Sequence, residues 1–226
     1  MTEFGSLMRV LQYGDSFFPS GAVSFSWGLE ALAERGAFAD AGAIQSFVIG
    51  QLHARWASFD RSVVSAAYRA VPSLNAVAVI DYTIEMLTSS ADMRSASRRM
   101  GEAMVLIFAR LDVAYAAAYR ARIKSGEAYG HVAVMQGFLW RCNGLKETEA
   151  LALSAHTFCV GLLGAGIRLG CLTHIDAQRI LTAAGAEVSQ IAEEPIVPLD
   201  AISSYGVEAE IAIMGHAYQD LRLFSN

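Results

Sequence analysis

The sequence predicts an all-α protein built as one multi-helix bundle. Three observations carry this. No stretch sustains the period-two alternation of a half-buried strand, apolar residues recur at three- and four-residue spacing through alanine-rich segments, and cap and stop residues punctuate the chain. Apolar residues make up 54% of the 226 positions and charged residues 17%. That balance asks for more hidden surface than usual, in a large interior, a subunit interface or a membrane segment.

The start, MTEFGSLMRV, has an acid at position 3 and no basic segment leading into an apolar one, so it does not read as a signal peptide. Residues 1–5 are expected to be mobile. The stretch FPSGAVSFSWGLE, residues 18–30, opens a helix through Gly28, Leu29 and Glu30, with Ser24 and Ser26 read as turn or N-cap residues. Asp40 caps a long helix to about Ala70, which Val71-Pro72 breaks. Ser73 caps the next, through about Leu87, and Ser89 or Ser90 begins a third that ends at Ser125-Gly126.

A helix from about Val132 stops at Asn143-Gly144, and an apolar one follows from about Lys146 to Leu169. Within it, Ala150 to Ile167 carries no formal charge and just reaches the length of a membrane span. Its histidine, serine, threonine and glycines, with charges close on both sides, favour a buried core or interface helix. Gly161 and Gly164 would let another helix approach. Thr173 and Asp176 form a capping-box pattern that opens a helix over Ile175 to Ala184. Glu193 to Pro198 is an extended break, a last helix lies near Ser204 to His216, and residues 217–226 are a loose polar-aromatic tail. No linker, repeat or low-complexity segment appears, so residues 1–226 read as a single domain.

The net charge is -5 and no basic stripe exists to neutralise phosphates, so nucleic acid is not an expected partner. Cys142, Cys159 and Cys171 lie too far apart to suggest a disulfide framework, which points to a reducing cytoplasm. No GxxxxGK[ST] loop is present for a nucleotide. Ser26 resembles the nucleophile of a glycine-flanked elbow, but the motif needs glycine two before and two after, and only Gly28 fits. A serine hydrolase using Ser26 stands as one alternative, with a base from His53, His131, His156, His174 or His216; a membrane-associated helical protein stands as another. His156-x-x-Cys159 and Cys171-x-x-His174 are candidate metal ligands, since two histidines and two cysteines can make a tetrahedral zinc set. Buried core cysteine is the simpler reading.

Four ordered blocks remain. Leu11-Gln12 and Asp15 through Glu30 resemble the N-terminal signature of the UreF family of urease accessory proteins, roughly LQ followed by LPxGGFSxSxGLE. Gly126-Glu127-Ala128-Tyr129-Gly130-His131 is similar to a second family block. Ile167 to Gly170 with Thr173, Asp176 to Arg179 and Leu181 is similar to a third, and Asp220 to Ser225 to the terminal RLFxS. Ala22 and Val23 stand where the family has glycine and an aromatic, and Ala133 where many members have proline.

The resemblance implies an all-α, dimeric, non-catalytic protein that holds no cofactor of its own and helps insert nickel into apo-urease. It implies bridging between UreD (also called UreH) and UreG, a nickel-carrying GTPase. It places partner contacts at Pro19, Gly21, Ser24, Phe25, Ser26, Trp27, Gly28, Glu30, Gly130 and His131. Arg222, Leu223 and Phe224 suit an interface as a donor fork with two apolar anchors, and the tail is expected to order on UreD.

Overall fold

The computed structural model describes residues 2–15, 17–19, 25–204, 206 and 211–213. Among them are ten α-helices, one π-helical stretch and no strand. The all-α expectation holds. The described chain forms two compact units, each assembled from separate segments. Unit 1 takes Met1–Gly21 and Asp60–Ser154, and unit 2 takes Ala22–Phe59 and Ala155–Asn226. Two of the crossing points, at 59/60 and 154/155, lie inside helical segments, so no linker composition marks them.

Unit 1 holds α1 (Glu3–Gly14), α4 (Arg61–Ala70), α5 (Leu74–Leu87), α6 (Ala91–Arg110), α7 (Ala116–Ser125), α8 (Val132–Cys142) and the start of α9 (Glu147–Arg168). The α1 helix begins inside the stretch expected to be loose, because the Thr2 side chain accepts from the Gly5 N–H at 3.2 Å and closes the first turn. Ser73 and Ser90 cap α5 and α6 in the same way, as read from the sequence. The third helix expected from residue 90 to 125 is in fact two. Asp112 and Tyr115 take positive φ values of 54° and 65° between α6 and α7, a break for which the segment carries neither glycine nor proline.

Helix α8 packs against α4 and α6. A Cβ on Gly137 would lie 2.1 Å from the Val64 carbonyl oxygen, so the α8 and α4 backbones meet at a point only glycine admits. Tyr13 packs tilted and Phe18 edge-on against Phe108, with centroids 5.0 and 5.7 Å away, which seats the N-terminal segment on α6.

Unit 2 holds α2 (Leu29–Glu34), α3 (Ala41–Gln51), most of the π-helical stretch (Leu52–Asp60), the rest of α9, and α10 (His174–Glu193). Its core joins Leu29, Ile44, Val48, Leu52 and Trp56 to Phe158, Cys159, Leu162, Leu163, Ile180 and Ile191. The long helix expected from Asp40 to Ala70 changes character at Leu52. The wider turns of the π-helical stretch place Trp56 and Phe59 inside and carry the Arg55 guanidinium to 4.2 Å from the Phe59 ring centroid. Helix α10 runs beyond the expected Ala184, since Gly185 is exposed and does not break it. The Thr173–Asp176 capping box is present as read.

Of the last expected helix, Ser204 to His216, the described portion contains helix at Ile211–Ile213. Gly21, Ser24, Arg222, Leu223 and Phe224 lie outside the described residues, as does the tail 217–226.

Candidate functional site

The block Gly126 to His131 sits on a buried carboxylate. Asp81, on α5, has no solvent exposure, and its Oδ2 accepts from the N–H groups of Tyr129 at 2.8 Å and Gly130 at 2.6 Å. Its Oδ1 accepts from the His131 N–H at 2.9 Å, and the Tyr119 hydroxyl donates to Oδ2 at 3.0 Å. Three backbone donors and a phenol offset the several kcal/mol that burying a carboxylate would otherwise cost. Burial, then the Asp81 charge, push the Tyr119 phenol far above its usual range, so it stays a donor.

The His131 ring is also fully buried. Its Nε2 lies 2.9 Å from Glu85 Oε2 and its Nδ1 lies 3.1 Å from Ser97 Oγ. Glu85 is held in turn by Arg98 at 2.7 Å and Arg94 at 3.4 Å. Burial lowers the imidazole's proton affinity against the pull of Asp81 and Glu85, so His131 is held toward the neutral form. Neutral, it fits the network with Nε2–H donating to Glu85 and Nδ1 accepting from the Ser97 hydroxyl. The Ser97 oxygen also accepts from the Val132 N–H at 3.2 Å.

Helix α6 approaches this block so closely that a Cβ on Gly101 would lie 1.9 Å from the Gly130 carbonyl oxygen. Gly130 itself has φ 77°, a value that favours glycine. Gly126 at φ 79° closes α7, with the Glu127 N–H returning to the Arg122 carbonyl at 2.9 Å and its own N–H to Ile123. Each feature fixes a shape. The Ser97–His131–Glu85 chain has the connectivity of a catalytic triad, but its base is sealed from any substrate.

The described part of the first signature block divides between the units. In unit 1, Pro19 lines an open apolar groove of about 620 Å³ together with Met8, Leu11, Phe17, Phe18 and Ile107. In unit 2, Phe25, Ser26 and Glu30 are buried, and Trp27 packs on Phe158 with centroids 5.5 Å apart. Of the two roles expected for Ser26, turn or N-cap, the turn is the one seen. Trp27 and Gly28 take φ values of 53° and 83°, so the chain turns sharply, Gly28 occupies the N-cap, and the Ser26 carbonyl accepts from the Leu29 N–H at 3.0 Å. With no exposure, Ser26 is not presented as a nucleophile.

The candidate metal ligands do not come together. His156 is exposed on α9, Cys159 faces the unit 2 core, and His174 is exposed at the start of α10. Burial pushes the Cys159 thiol up to about 12, away from the thiolate a metal would need. Among the described residues no three His, Cys, Asp or Glu side chains form a group able to hold a metal ion. Helix α9 is long and apolar enough to cross a membrane, and 56% of its apolar stretch is buried in the fold itself.

The sequence singles out Gly130 and His131 but not Asp81, Glu85, Ser97, Arg98 or Tyr119. The available signal was Asp81 and Glu85, the two charges of α5, at i, i+4 on one face of a helix otherwise without charge.

A model of the UreF family matches residues 38–185, which includes the His131 network and leaves Pro19 to Glu30 outside. The chain is 28% identical over 224 residues to the urease accessory protein UreF of Yersinia enterocolitica (serotype O:8 / biotype 1B), covering 97% of this chain and 98% of that protein. It is 27% identical, with the same coverage, to the proteins of that name from Yersinia pseudotuberculosis (serotype IB) and Yersinia pestis (strain Pestoides F). Through a family match over more than half its length and these end-to-end likenesses, the chain belongs to the UreF family.

Proposed function

We propose that the chain is a non-catalytic adaptor in urease maturation, working in the cytoplasm as a homodimer that bridges UreD (UreH) and the GTPase UreG for nickel insertion into apo-urease. The observation that carries this reading is the likeness, over 97% of the chain, to proteins named urease accessory protein UreF. Nickel is cargo of the partner assembly and the chain holds no cofactor of its own. Two features of unit 1 support work done by surfaces. The groove beside Pro19 leaves Leu11 and Phe17 exposed, and the Gly130–His131 block is braced from beneath rather than opened to a substrate.

Co-expression of the chain with UreD, UreG and apo-urease tests the reading. The expected result is a complex containing all of them and urease activity that depends on the chain. Activation without the chain, or no association with UreD and UreG, would remove it. Deleting Leu221 to Asn226 should abolish co-purification of UreD; unchanged co-purification would place that contact elsewhere.

A further inference from the structure

Helix α1 is seated on unit 1 by its polar side. The Ser6 hydroxyl donates to Glu149 Oε2 at 2.5 Å, Arg9 donates to the Asn143 carbonyl, and the Asn143 amide donates to the Tyr13 hydroxyl, with Ser6 and Tyr13 buried. Its apolar side faces out. Phe4, Leu7, Met8 and Leu11 fall at i, i+3, i+4 and i+7 and are all exposed, Phe4 by 73%. The face runs on without a break, because Met8 and Leu11 line the same groove as Phe17 and Leu111. Phe17 is 92% exposed and Leu111 is exposed as well.

The extent of this face suits a second copy of the chain. At about 200 Å² for a fully exposed side chain of this size, the six residues leave roughly 750 Å² of apolar surface uncovered. That exceeds the ~300–600 Å² patch of a typical monomer and comes close to the ~800 Å² that each partner contributes to a standard interface. The face is also made to meet itself. An isologous contact needs a projecting group and a hollow on one surface, on either side of the two-fold axis. Phe4 stands at the first turn of α1, and the groove lies at its last turn and beyond. Two α1 helices crossing antiparallel at Leu7 and Met8 would bring Phe4 of each copy to Leu11 of the other, at the mouth of that groove. Charge does not oppose this pairing. Arg9 is turned away to Asn143, and Glu3, which would come near Asp15 of the other copy at the rim of the groove, has Lys146 at 3.9 Å to offset the two carboxylates.

We propose that the outer face of α1, extended by Phe17 and Leu111, is the surface through which two copies of the chain pair. This rests on the homodimer of the adaptor reading and assigns its contact. The polar seat of α1 holds the face in place before the second copy arrives, so little ordering is needed on pairing.

Two measurements on the full chain test the surface. In sedimentation equilibrium the double variant Leu7→Asp, Leu11→Asp, with unchanged circular dichroism, should pair at least about 100-fold more weakly than the parent chain. Under mild oxidation Met8→Cys, close to the proposed axis, should give a covalent dimer well above the background of the parent chain, and Val79→Cys, exposed on α5, should not. The second measurement holds even if the aspartates disturb the fold. A double variant that still pairs like the parent, or Met8→Cys that crosslinks no better than Val79→Cys, overturns the proposal and leaves the homodimer to another face. A monomeric parent chain overturns both; loss of UreD co-purification from the double variant would then make that protein the occupant. A monomeric double variant that still supports urease activation on co-expression keeps this surface and removes the need for a dimer from the adaptor reading.

Discussion

His131 and Glu85 form a buried pair, with Nε2 and Oε2 2.9 Å apart and Arg98 reaching Glu85 from α6. Burial holds the imidazole below its ordinary value of 6.5 in the folded chain. The unfolded chain therefore takes up the proton first as pH falls. The stabilisation is fully present above about pH 6.5 and is lost as pH drops through the folded-state value. Thermal melts should be level above that point and decline below it, with a shallower decline in His131→Gln. A melting temperature that stays level into the acid range would contradict this.

Asp81 should be the most sensitive position in unit 1. Asp81→Ala strands three N–H groups and the Tyr119 hydroxyl in a fully buried site, a loss of about 3–5 kcal/mol on the scale of a broken buried charge network. Urea unfolding would measure it. A change under about 1 kcal/mol would mean the block is not anchored there.

Gly137→Ala should destabilise by about 1–3 kcal/mol, because the added methyl meets the α4 backbone rather than a side chain that can swing away. Gly185→Ala is the matched control: it is exposed in mid-helix, with nothing within 4 Å of the new methyl, and should stabilise by about 0.5–1 kcal/mol. Denaturant midpoints that move together would refute the backbone contact.

Thr173→Ala removes the hydroxyl that accepts from the Asp176 N–H at 3.1 Å, leaving the α10 capping box half made. A loss of about 1 kcal/mol is expected, readable as a lower melting temperature. Thr173→Ser should restore most of it.

The starts of helices were legible because a cap is a local bargain between one side chain and one N–H: Asp40, Ser73, Ser90 and Thr173 all act where the sequence places them. Stops were legible where proline or a glycine at positive φ imposes them, at Val71-Pro72, Gly126 and Gly144. The change at Leu52 and the turn at Asp112 to Tyr115 carry no such residue, since packing sets them. The α1 helix shows its periodicity in Phe4, Leu7, Met8 and Leu11, but those side chains are exposed rather than buried. In the candidate site, Gly130 and His131 could be picked out as a motif. Their partner Asp81 lies about fifty residues away, and only the fold joins them.

The inward carboxylates of α5 also constrain the order of events during synthesis. Asp81 leaves the ribosome well before the Tyr119, Tyr129, Gly130 and His131 groups that satisfy it. Until that later segment emerges, seating α5 would strand a bare charge in an apolar interior, so the helix must stay hydrated and undocked. Residues 126–131 thus act as the latch that commits α5 to the interior of unit 1, and a nascent chain truncated ahead of them should leave α5 open to proteolysis.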